Sequence, residues 1–335
     1  WQPISWQQAL DLIAERMTAA GRERVALWSG HGAMQNGLGS RLTTRFANMY
    51  GCQRWQGSIF CWSFVAMGLA LTGVLNVHTK EDLAAHSQYV LLWGANLPSQ
   101  PHTARSIMAA KKRGARLVTI DCRVSEAARH SDQVVLVRPG ADAALALSML
   151  HVIIAEGLHD AAFIEQHAIG FAELAEHVRD KTPEWAADIT GVAPDVIVGL
   201  ARAYATTKPA MIVVGCSSMG KSTNGWLSSR AISCLPALTG SLGIPGSGIG
   251  PRHAASSHGE GLADITARDS RPPGNYYPQQ MSYLPEAAAE GRVKVLLILG
   301  SNLLSMFPDS PHLETALRGL DLIVTHDLFL NEPSR

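Results

Sequence analysis

Tyr89-Val90-Leu91-Leu92-Trp93-Gly94-Ala95-Asn96 and Arg116-Leu117-Val118-Thr119-Ile120-Asp121-Cys122-Arg123 are the two passages that decide the fold of this chain. Each is an apolar run that ends in small or polar residues, which is typical of a buried strand that delivers a loop. A helix-like stretch that begins at Pro101 connects them, and proline suits a first helical position. Strand, helix and strand in this order predict a parallel sheet. Because ligands bind at the carboxyl edge of such a sheet, the two loops predict a nucleotide-type pocket.

The alternation continues along the chain and predicts the α/β class. Further strands are expected at residues 25–28, 134–137, 210–215, 293–300 and 322–327, and residues 160–207 read as helical. We predict two α/β domains with mainly parallel sheets, one inserted into the other. The first comprises residues 1–75 and 208–335, and the inserted, doubly wound dinucleotide-binding domain comprises residues 76–207. Residues 250–290 are expected to form an extended loop, and no repeat of fixed period is visible.

Composition and charge exclude several classes of protein. The chain has 335 residues, and 28 basic residues balance 28 acidic ones. A nucleic-acid surface needs a basic excess, so no nucleic-acid partner is expected. No apolar run is long enough for a membrane span. The five cysteines form no C-x-x-C pair, so the sequence contains no zinc or iron–sulfur ligand set.

The loop after the first strand and the end of the second are the candidate ligand contacts. Gly94 allows a phosphate to approach the backbone, and the same residues could equally form a plain turn between strand and helix. Asp121 could hold ribose hydroxyls or a guanine edge, and Arg123 could pair with a phosphate. The alternative for Asp121 and Arg123 is a surface ion pair, although their place at the carboxyl end of a strand favours binding.

Cys61 is either a metal ligand or a buried core residue, and the residues around it leave both interpretations open. It lies between apolar residues, where a cysteine is most often part of the core. It also stands at an expected helix start, where the dipole stabilises a thiolate, and a soft thiolate suits a thiophilic metal.

Six phrases follow one another along the chain, at residues 1–10, 93–96, 120–123, 138–145, 238–246 and 300–302. In this order they resemble the molybdopterin oxidoreductase superfamily, which includes dimethyl sulfoxide reductase, periplasmic nitrate reductase and formate dehydrogenase. The corresponding family phrases are W-x-x-I-S-W-D-E-A-L, W-G-x-N, I-D-P-R, R-P-G-T-D-x-A-L, L-T-G-N-I-G-x-P-G and G-x-N. Cys122 departs from the family, because a proline is usual there.

The resemblance implies two pyranopterin guanine dinucleotides around one molybdenum or tungsten atom. It implies that one dinucleotide contacts Gly94, Asn96, Asp121, Arg123, Gly140 and Asp142. The loops at residues 215–221 and 300–302 would serve the other dinucleotide, through Ser218, Gly300 and Asn302. The family's metal-binding residue often stands seven residues before a glycine, and Cys61 and Gly68 have this spacing. The resemblance therefore favours Cys61, rather than Ser63, as metal ligand and catalytic residue.

The resemblance also implies a catalytic subunit that oxidises or reduces a small-molecule substrate by two electrons, often by oxygen-atom transfer. The metal is expected where the two domains meet. A 4Fe-4S cluster is expected outside this chain, and an electron-transfer subunit is a possible partner. The family's iron–sulfur segment and its C-terminal β-barrel domain are not in this sequence, so we expect the two central domains only, inactive alone.

One departure from the family and two alternative functions accompany this interpretation. Trp62 stands where formate dehydrogenases of the family carry histidine, which argues against formate oxidation. One alternative is a metal-free relative, such as the large NADH:quinone oxidoreductase subunit, that serves an electron-transfer complex. Another is a nucleotide-binding scaffold without catalysis. Cys61 argues for the metal.

Overall fold

A computed structural model gives the structure of the protein. It describes residues 2–30, 32, 37–56, 63–74, 78–215, 219–222, 224–251, 264–277, 283–307 and 309–335. The strands of these residues are β1 (Val25–Ser29), β2 (Gln53–Gln56), β3 (Tyr89–Trp93), β4 (Arg116–Asp121), β5 (Gln133–Leu136), β6 (Ala210–Val214), β7 (Gly248–Ile249), β8 (Val295–Leu299) and β9 (Leu322–His326).

The described helices cover most of the rest. They are α1 (Trp6–Ala20), α2 (Gly37–Tyr50), α3 (Ser63–Leu71), α4 (Lys80–His86), α5 (Pro101–Lys112), α6 (Asp142–Ala155), α7 (Ala161–His167), α8 (Phe171–Val178), α9 (Pro183–Thr190), α10 (Pro194–Thr206), α11 (Gly225–Leu238), α12 (Leu284–Ala289), α13 (Leu303–Met306) and α14 (Ser310–Leu317). Among them, none combines the length and the apolar character that crossing a membrane requires.

The chain divides into two compact units. Unit 1 comprises Trp1–Phe60 and Ser257–Arg335, and unit 2 comprises Cys61–Ser256. The predicted boundaries, after residues 75 and 207, differ from these. The reason is β6, which we assigned to the discontinuous domain but which pairs with β3 in the sheet of unit 2. The strand β7, inside a glycine-rich loop, then pairs with β6 and extends the same sheet.

Unit 2 is built on a parallel sheet with the strand order β5-β4-β3-β6-β7. Its strands are apolar on both faces, as helix-covered parallel strands must be. Val90, Leu92 and Met211 face a cluster that includes Leu83 of α4 and Ile107 of α5. The other face is covered by a larger cluster with members in α6, α10 and α11, among them Leu145, Tyr204 and Ile232.

Unit 1 contains a second parallel sheet, with the order β2-β1-β8-β9. Ala26 and Trp28 of β1 face a cluster that includes Leu284 of α12 and Leu313 of α14. The opposite side of β1 packs with Met17 of α1 and with α2. Helix α1 begins with a capping box, because Ser5 and Gln8 exchange hydrogen bonds of 3.2 and 2.8 Å.

Candidate functional site

The carboxyl edge of the unit 2 sheet has a topological switch point between β3 and β6. Strand β4 lies on one side of β3 and β6 lies on the other, and the helices that follow β3 and β6, α5 and α11, cover opposite faces of the sheet. The Gly215 N–H donates to the Trp93 carbonyl at 2.7 Å, and the Gly94 N–H donates to the Ile120 carbonyl at 2.8 Å. Ligands of open parallel sheets bind at such a point. Gly215 therefore adjoins Gly94 at the edge of the unit 2 sheet, and our assignment of the loop at residues 215–221 to the other dinucleotide stays a prediction.

Asn96 joins the loops after β3 and β4. Its amide donates to Glu126 Oε2 at 2.8 Å, and its carbonyl oxygen accepts from the Ala127 N–H at 3.3 Å. Asn96 also occupies the N-cap of a short 3-10 turn but makes no capping bond, so its side chain serves the neighbouring loop instead. Hydrogen bonds from the Glu126 backbone and from Asn96 lower the pKa of Glu126.

Asp121 and Arg123 lie beside this connection. Asp121 Oδ1 accepts a long hydrogen bond of 3.4 Å from the Arg123 N–H, and Arg123 Nη2 lies 3.5 Å from Glu126 Oε2. The ion pair that we considered as an alternative is thus formed by Arg123 with Glu126. Glu126 was not among the predicted site residues.

Asp142 reaches the same edge from the start of α6. Its carboxylate does not cap the helix, but accepts from Trp93 Nε1 at 2.8 Å. Burial raises the pKa of Asp142, the Trp93 hydrogen bond opposes this shift, and the charge of Asp121 adds to it. Gly140, just before, has a φ of 80°, a conformation that favours glycine.

The edge of the unit 1 sheet repeats this arrangement. Strand β2 lies on one side of β1 and β8 on the other, so the switch point falls between Gly30 and Gly300. The Gly30 N–H donates to the Leu299 carbonyl at 2.8 Å. A methyl group on Gly30 would lie 2.2 Å from the Gly300 carbonyl oxygen and 2.4 Å from Ser301 Cβ. Gly30 was not among the predicted site residues, and no side chain larger than that of glycine fits there.

Asn302 bonds in unit 1 as Asn96 does in unit 2. Its amide donates to Glu332 Oε2, thirty residues further along the chain, and the separation of Asn96 and Glu126 is also 30 residues. The Asn302 carbonyl oxygen is buried and has no hydrogen-bond partner among the residues that the structure describes.

These matches are part of an internal repeat. Residues 89–129 align with residues 295–335 without a gap, and the strand registers Tyr89↔Arg116 and Val295↔Leu322 occupy the same places in it. The identical pairs are Leu91 and Leu297, Gly94 and Gly300, Asn96 and Asn302, Leu97 and Leu303, Ser99 and Ser305, Ala110 and Ala316, Val118 and Val324, Thr119 and Thr325, Asp121 and Asp327, Glu126 and Glu332, and Arg129 and Arg335. The repeat has two copies and no fixed period, so our expectation of no repeat of fixed period is unaffected. Alignment of the chain with itself would have found the two copies.

Two of the predicted residues, Cys61 and Ser218, lie outside the described residues, and the side chain of Ser63 does too. Gly68 is described and has a packing role. A methyl group there would lie 2.0 Å from Ser229 Oγ and 2.2 Å from the Trp226 carbonyl oxygen, both in α11. The glycine seven residues after Cys61 is thus where α3 and α11 approach most closely.

Comparison with known proteins identifies the group to which these features belong. The sequence profile described as molybdopterin oxidoreductase matches residues 1–334. The chain belongs to the molybdopterin oxidoreductase family. Membership implies a pterin cofactor that carries molybdenum or tungsten, and the family members with curated names include formate dehydrogenases and dimethyl sulfoxide reductases.

Individual relatives of this molybdopterin oxidoreductase chain match along nearly its whole length. "Probable oxidoreductase YoaE" of Bacillus subtilis is 30% identical over 99% of this chain and 50% of that protein. "F420-dependent formate dehydrogenase subunit alpha" of Methanocaldococcus jannaschii is 29% identical over 99% of this chain and 52% of that protein. The structure of acetylene hydratase from Pelobacter acetylenicus superposes with a TM-score of 0.81 at 26% identity, covering 98% of this chain and 51% of that one. The chain spans about half the length of these relatives.

Proposed function

We propose that the chain binds two guanine dinucleotide forms of the pterin, one at the switch point of each sheet. The observation that carries this proposal is the internal repeat, because it presents the same Gly, Asn, Asp and Glu at both edges. A chain with two copies of one nucleotide-type edge suits a metal held by two pterin nucleotides. In unit 2 we assign the contacts to Gly94, Asn96, Asp121 and Asp142.

The described residues fit such a ligand chemically. Gly94 and Gly300 have φ values of 59° and 55°, a conformation that favours glycine, and neither residue places a side chain between its loop and a phosphate. A cavity of about 290 Å³ is lined by Leu97, the residue after Asn96, by Met108, and by the polar side chains of Glu126 and His130. An apolar wall with a few polar groups suits a flat ring that carries N–H groups.

The same argument assigns Gly30, Gly300 and Asn302 to the second nucleotide in unit 1. Asn302 offers the unpartnered carbonyl oxygen, and Gly30 leaves the space that a side chain would fill. Asp327 stands where Asp121 stands in the first copy, and its carboxylate accepts from the Leu328 N–H at 2.7 Å and from Asn331 Nδ2 at 2.9 Å. It is therefore a weaker candidate for a free nucleotide contact than Asp121.

We propose Cys61 as the protein ligand of the metal. The support is its position seven residues before Gly68, which is the spacing that the resemblance gives to the family's metal-binding residue. The cofactor, when bound, supplies two-electron redox chemistry. The residues of this chain bind the nucleotides, orient the pterins and supply the thiolate.

The whole protein is then a catalytic subunit that oxidises or reduces a small substrate and exchanges electrons with a partner. The names of relatives support this proposal, since they include an oxidoreductase and a formate dehydrogenase subunit alpha. A 4Fe-4S cluster outside the chain would carry the electrons. Trp62 argues for a substrate other than formate.

The test is cofactor analysis of the purified holoprotein. Acid hydrolysis should release two guanine nucleotides for each molybdenum or tungsten atom. Asp121→Ala should lower the nucleotide content toward one, because a lost hydrogen bond to a charged group costs about 1.5–3 kcal/mol. Asp195→Ala, which removes an exposed carboxylate in the first turn of α10, is the matched control and should retain both nucleotides. Full nucleotide content in Asp121→Ala would refute the assignment.

A second candidate function is a non-redox reaction at the same cofactor. The observation that favours it is the similarity to a hydratase, because the name acetylene hydratase describes addition of water. Turnover that needs no external electron donor or acceptor would support this candidate. Turnover that stops without a redox dye would support the oxidoreductase.

A further inference from the structure

Unit 1 contains a group of four arginines without acidic partners. Arg41 and Arg45 lie on α2, Arg54 lies on β2, and Arg271 lies in the segment at residues 264–277 that packs beside them. None of the four forms an ion pair with any residue that the structure describes. Arginines that are partly buried are normally paired, so this group calls for an explanation.

Two of the four arginines hold the fold together. Arg45 Nη1 donates to the Ile265 carbonyl at 3.1 Å. Arg271 donates to Asn48 Oδ1 at 3.0 Å and to the Cys52 carbonyl at 2.8 Å. These hydrogen bonds attach the segment at residues 264–277 to α2 and to the start of β2. Arg45 and Arg271 therefore have structural partners, although their charges are not neutralised.

The other two arginines have no such partners. The Nε of the half-buried Arg54 is shielded from solvent and makes no hydrogen bond to a described residue. The exposed side chain of Arg41 makes none either within the described part of the chain. Cys52 supplies no negative charge, because burial raises the pKa of its thiol to about 11 and keeps it neutral at neutral pH.

The side chain of Arg54 faces α2. Cys52 and Arg54 are two positions apart, so their side chains share one face of the sheet, and Cys52 packs with Ala47 of α2 on that face. Because α2 connects the parallel strands β1 and β2, it runs back along them, and its residues toward Arg41 come beside Arg54. Burial, and then the charges of Arg271 and Arg41, lower the pKa of Arg54.

We propose that Arg54 and Arg41 bind a phosphate-type dianion, either inorganic phosphate or a phosphate monoester, between α2 and β2 of unit 1. Arg54 lies on the helix-covered face of the sheet, whereas the nucleotide of unit 1 is assigned to the loops at Gly30 and Gly300. The site is therefore additional to the proposed nucleotide sites, and the inference does not rest on the proposed function.

The physical reason is the cost of leaving these charges unpaired. A buried N–H without an acceptor destabilises the protein, and like charges that lie close together repel each other. A tetrahedral dianion removes both costs, since its oxygens accept the Nε hydrogen bond of Arg54 and its charge neutralises two guanidinium groups. Guanidinium groups match phosphate oxygens in geometry and bind them in pairs of hydrogen bonds.

The test is calorimetric titration of the purified holoprotein with inorganic phosphate, in chloride buffer of constant ionic strength. The wild type should bind phosphate in a saturable way. Arg54→Met and Arg41→Gln should each weaken the affinity by at least about tenfold, because hydrogen bonds to a charged group are lost. Arg16→Gln is the matched control. It removes an equal charge from the exposed side of α1 in the same unit and should bind as the wild type does.

A titration with glycerol phosphate distinguishes the two sources of the dianion. Binding as tight as that of inorganic phosphate would show that the site accepts a monoester, and binding of inorganic phosphate alone would assign it to the free ion. Either result supports the inference. Phosphate binding that appears only after the cofactor is removed would place Arg54 in the nucleotide site and overturn it.

Thermal unfolding gives a second readout that a purely structural arginine would not produce. In phosphate-free buffer, Arg54→Met should melt at a higher temperature than the wild type, because it removes a buried and unpaired cation. Added phosphate should raise the melting temperature of the wild type and of Arg16→Gln but not that of Arg54→Met. A wild type without saturable phosphate binding, or equal affinities in the wild type and Arg54→Met, would overturn the inference.

Discussion

Gly68→Ala should destabilise unit 2, because Gly68 lies at a close contact between α3 and α11. The added methyl group would lie 2.0 Å from Ser229 Oγ and 2.2 Å from the Trp226 carbonyl oxygen, whereas ordinary contacts of such a carbon are 3.4–4 Å. The serine hydroxyl could rotate away. The Trp226 oxygen belongs to the backbone of α11, so α3 and α11 would have to separate by about 1 Å, because side chains in a packed core have no free space.

The magnitude follows from two opposing terms. Overpacking of a well-packed core costs about 1–3 kcal/mol, and a clash with backbone lies at the upper end of this range. Alanine is the better helix former, by about 0.5–1 kcal/mol. The net loss in the free energy of unfolding is therefore about 2 kcal/mol. For a unit of this size that loss corresponds to a melting temperature lower by about 4–8 °C.

The assay is thermal unfolding of the cofactor-free protein, followed by circular dichroism, with Gly199→Ala as the matched control. Gly199 lies in α10 of the same unit, and a methyl group there would meet nothing within 4 Å. This variant gains helix propensity without a clash, so its melting temperature should rise by about 1–4 °C. The two substitutions are chemically the same and should have effects of opposite sign. A Gly68→Ala protein as stable as the wild type would refute the close approach of α3 and α11.

Three further predictions concern the two sheet edges and the metal. Gly30→Ala should destabilise unit 1 in urea unfolding and lower the nucleotide content of the protein, because the added methyl group would meet the Gly300 backbone. Gly319→Ala is the control, since its methyl group would lie 3.5 Å from the nearest atom, and it should have neither effect. Burial raises the pKa of Asp142 above its ordinary 3.8, so its contribution to the free energy of unfolding is full below that pH and is lost as the pH rises through the raised pKa. Asp142→Asn keeps an acceptor for Trp93 and should therefore gain stability relative to wild type between about pH 3 and about pH 7; a constant difference would contradict the shift. Cys61→Ala should abolish turnover and leave the melting temperature of the cofactor-free protein unchanged, and normal turnover would exclude Cys61 as the metal ligand.

The strands that carry the site could be predicted from the sequence because their signal is local. Continuous apolar runs such as Val90 to Trp93 can be buried on both faces only under helices, and this indicated parallel strands. The capping box at Ser5 is likewise encoded within a few residues. Strand β2 was missed, because only Trp55 of its four residues is apolar.

The partners of each strand could not be predicted in the same way. An apolar run such as Ala210–Val214 is compatible with either sheet, and only the pairing with β3, 121 positions earlier in the register Tyr89↔Ala210, assigns it to unit 2. The hydrogen bonds of Asn96 were missed for a related reason. Glu126 looks like any exposed glutamate until the loops after β3 and β4 are placed side by side. The repeat was a usable signal that our search for a fixed period did not detect, because its two copies are far apart.

The discontinuity of unit 1 has a consequence for how the protein is made. Trp28 Nε1 donates to Ser301 Oγ across 273 residues of chain, and β1 pairs with β8 over a similar separation. Closing an unstructured loop of this length costs ~5 kcal/mol of chain entropy. Unit 2 is continuous and is synthesised before β8, so its folding turns that loop into a compact body before β1 can pair with β8.

Until then, one edge of β1 has no neighbour. An unpaired apolar edge is a template for strands of other chains. Slow folding of unit 2, or a pause in translation before β8, would prolong this exposure. Newly made chains should therefore be most prone to aggregate before β8 is synthesised, and a chaperone that covers Val25–Ser29 at that stage would raise the yield of folded protein.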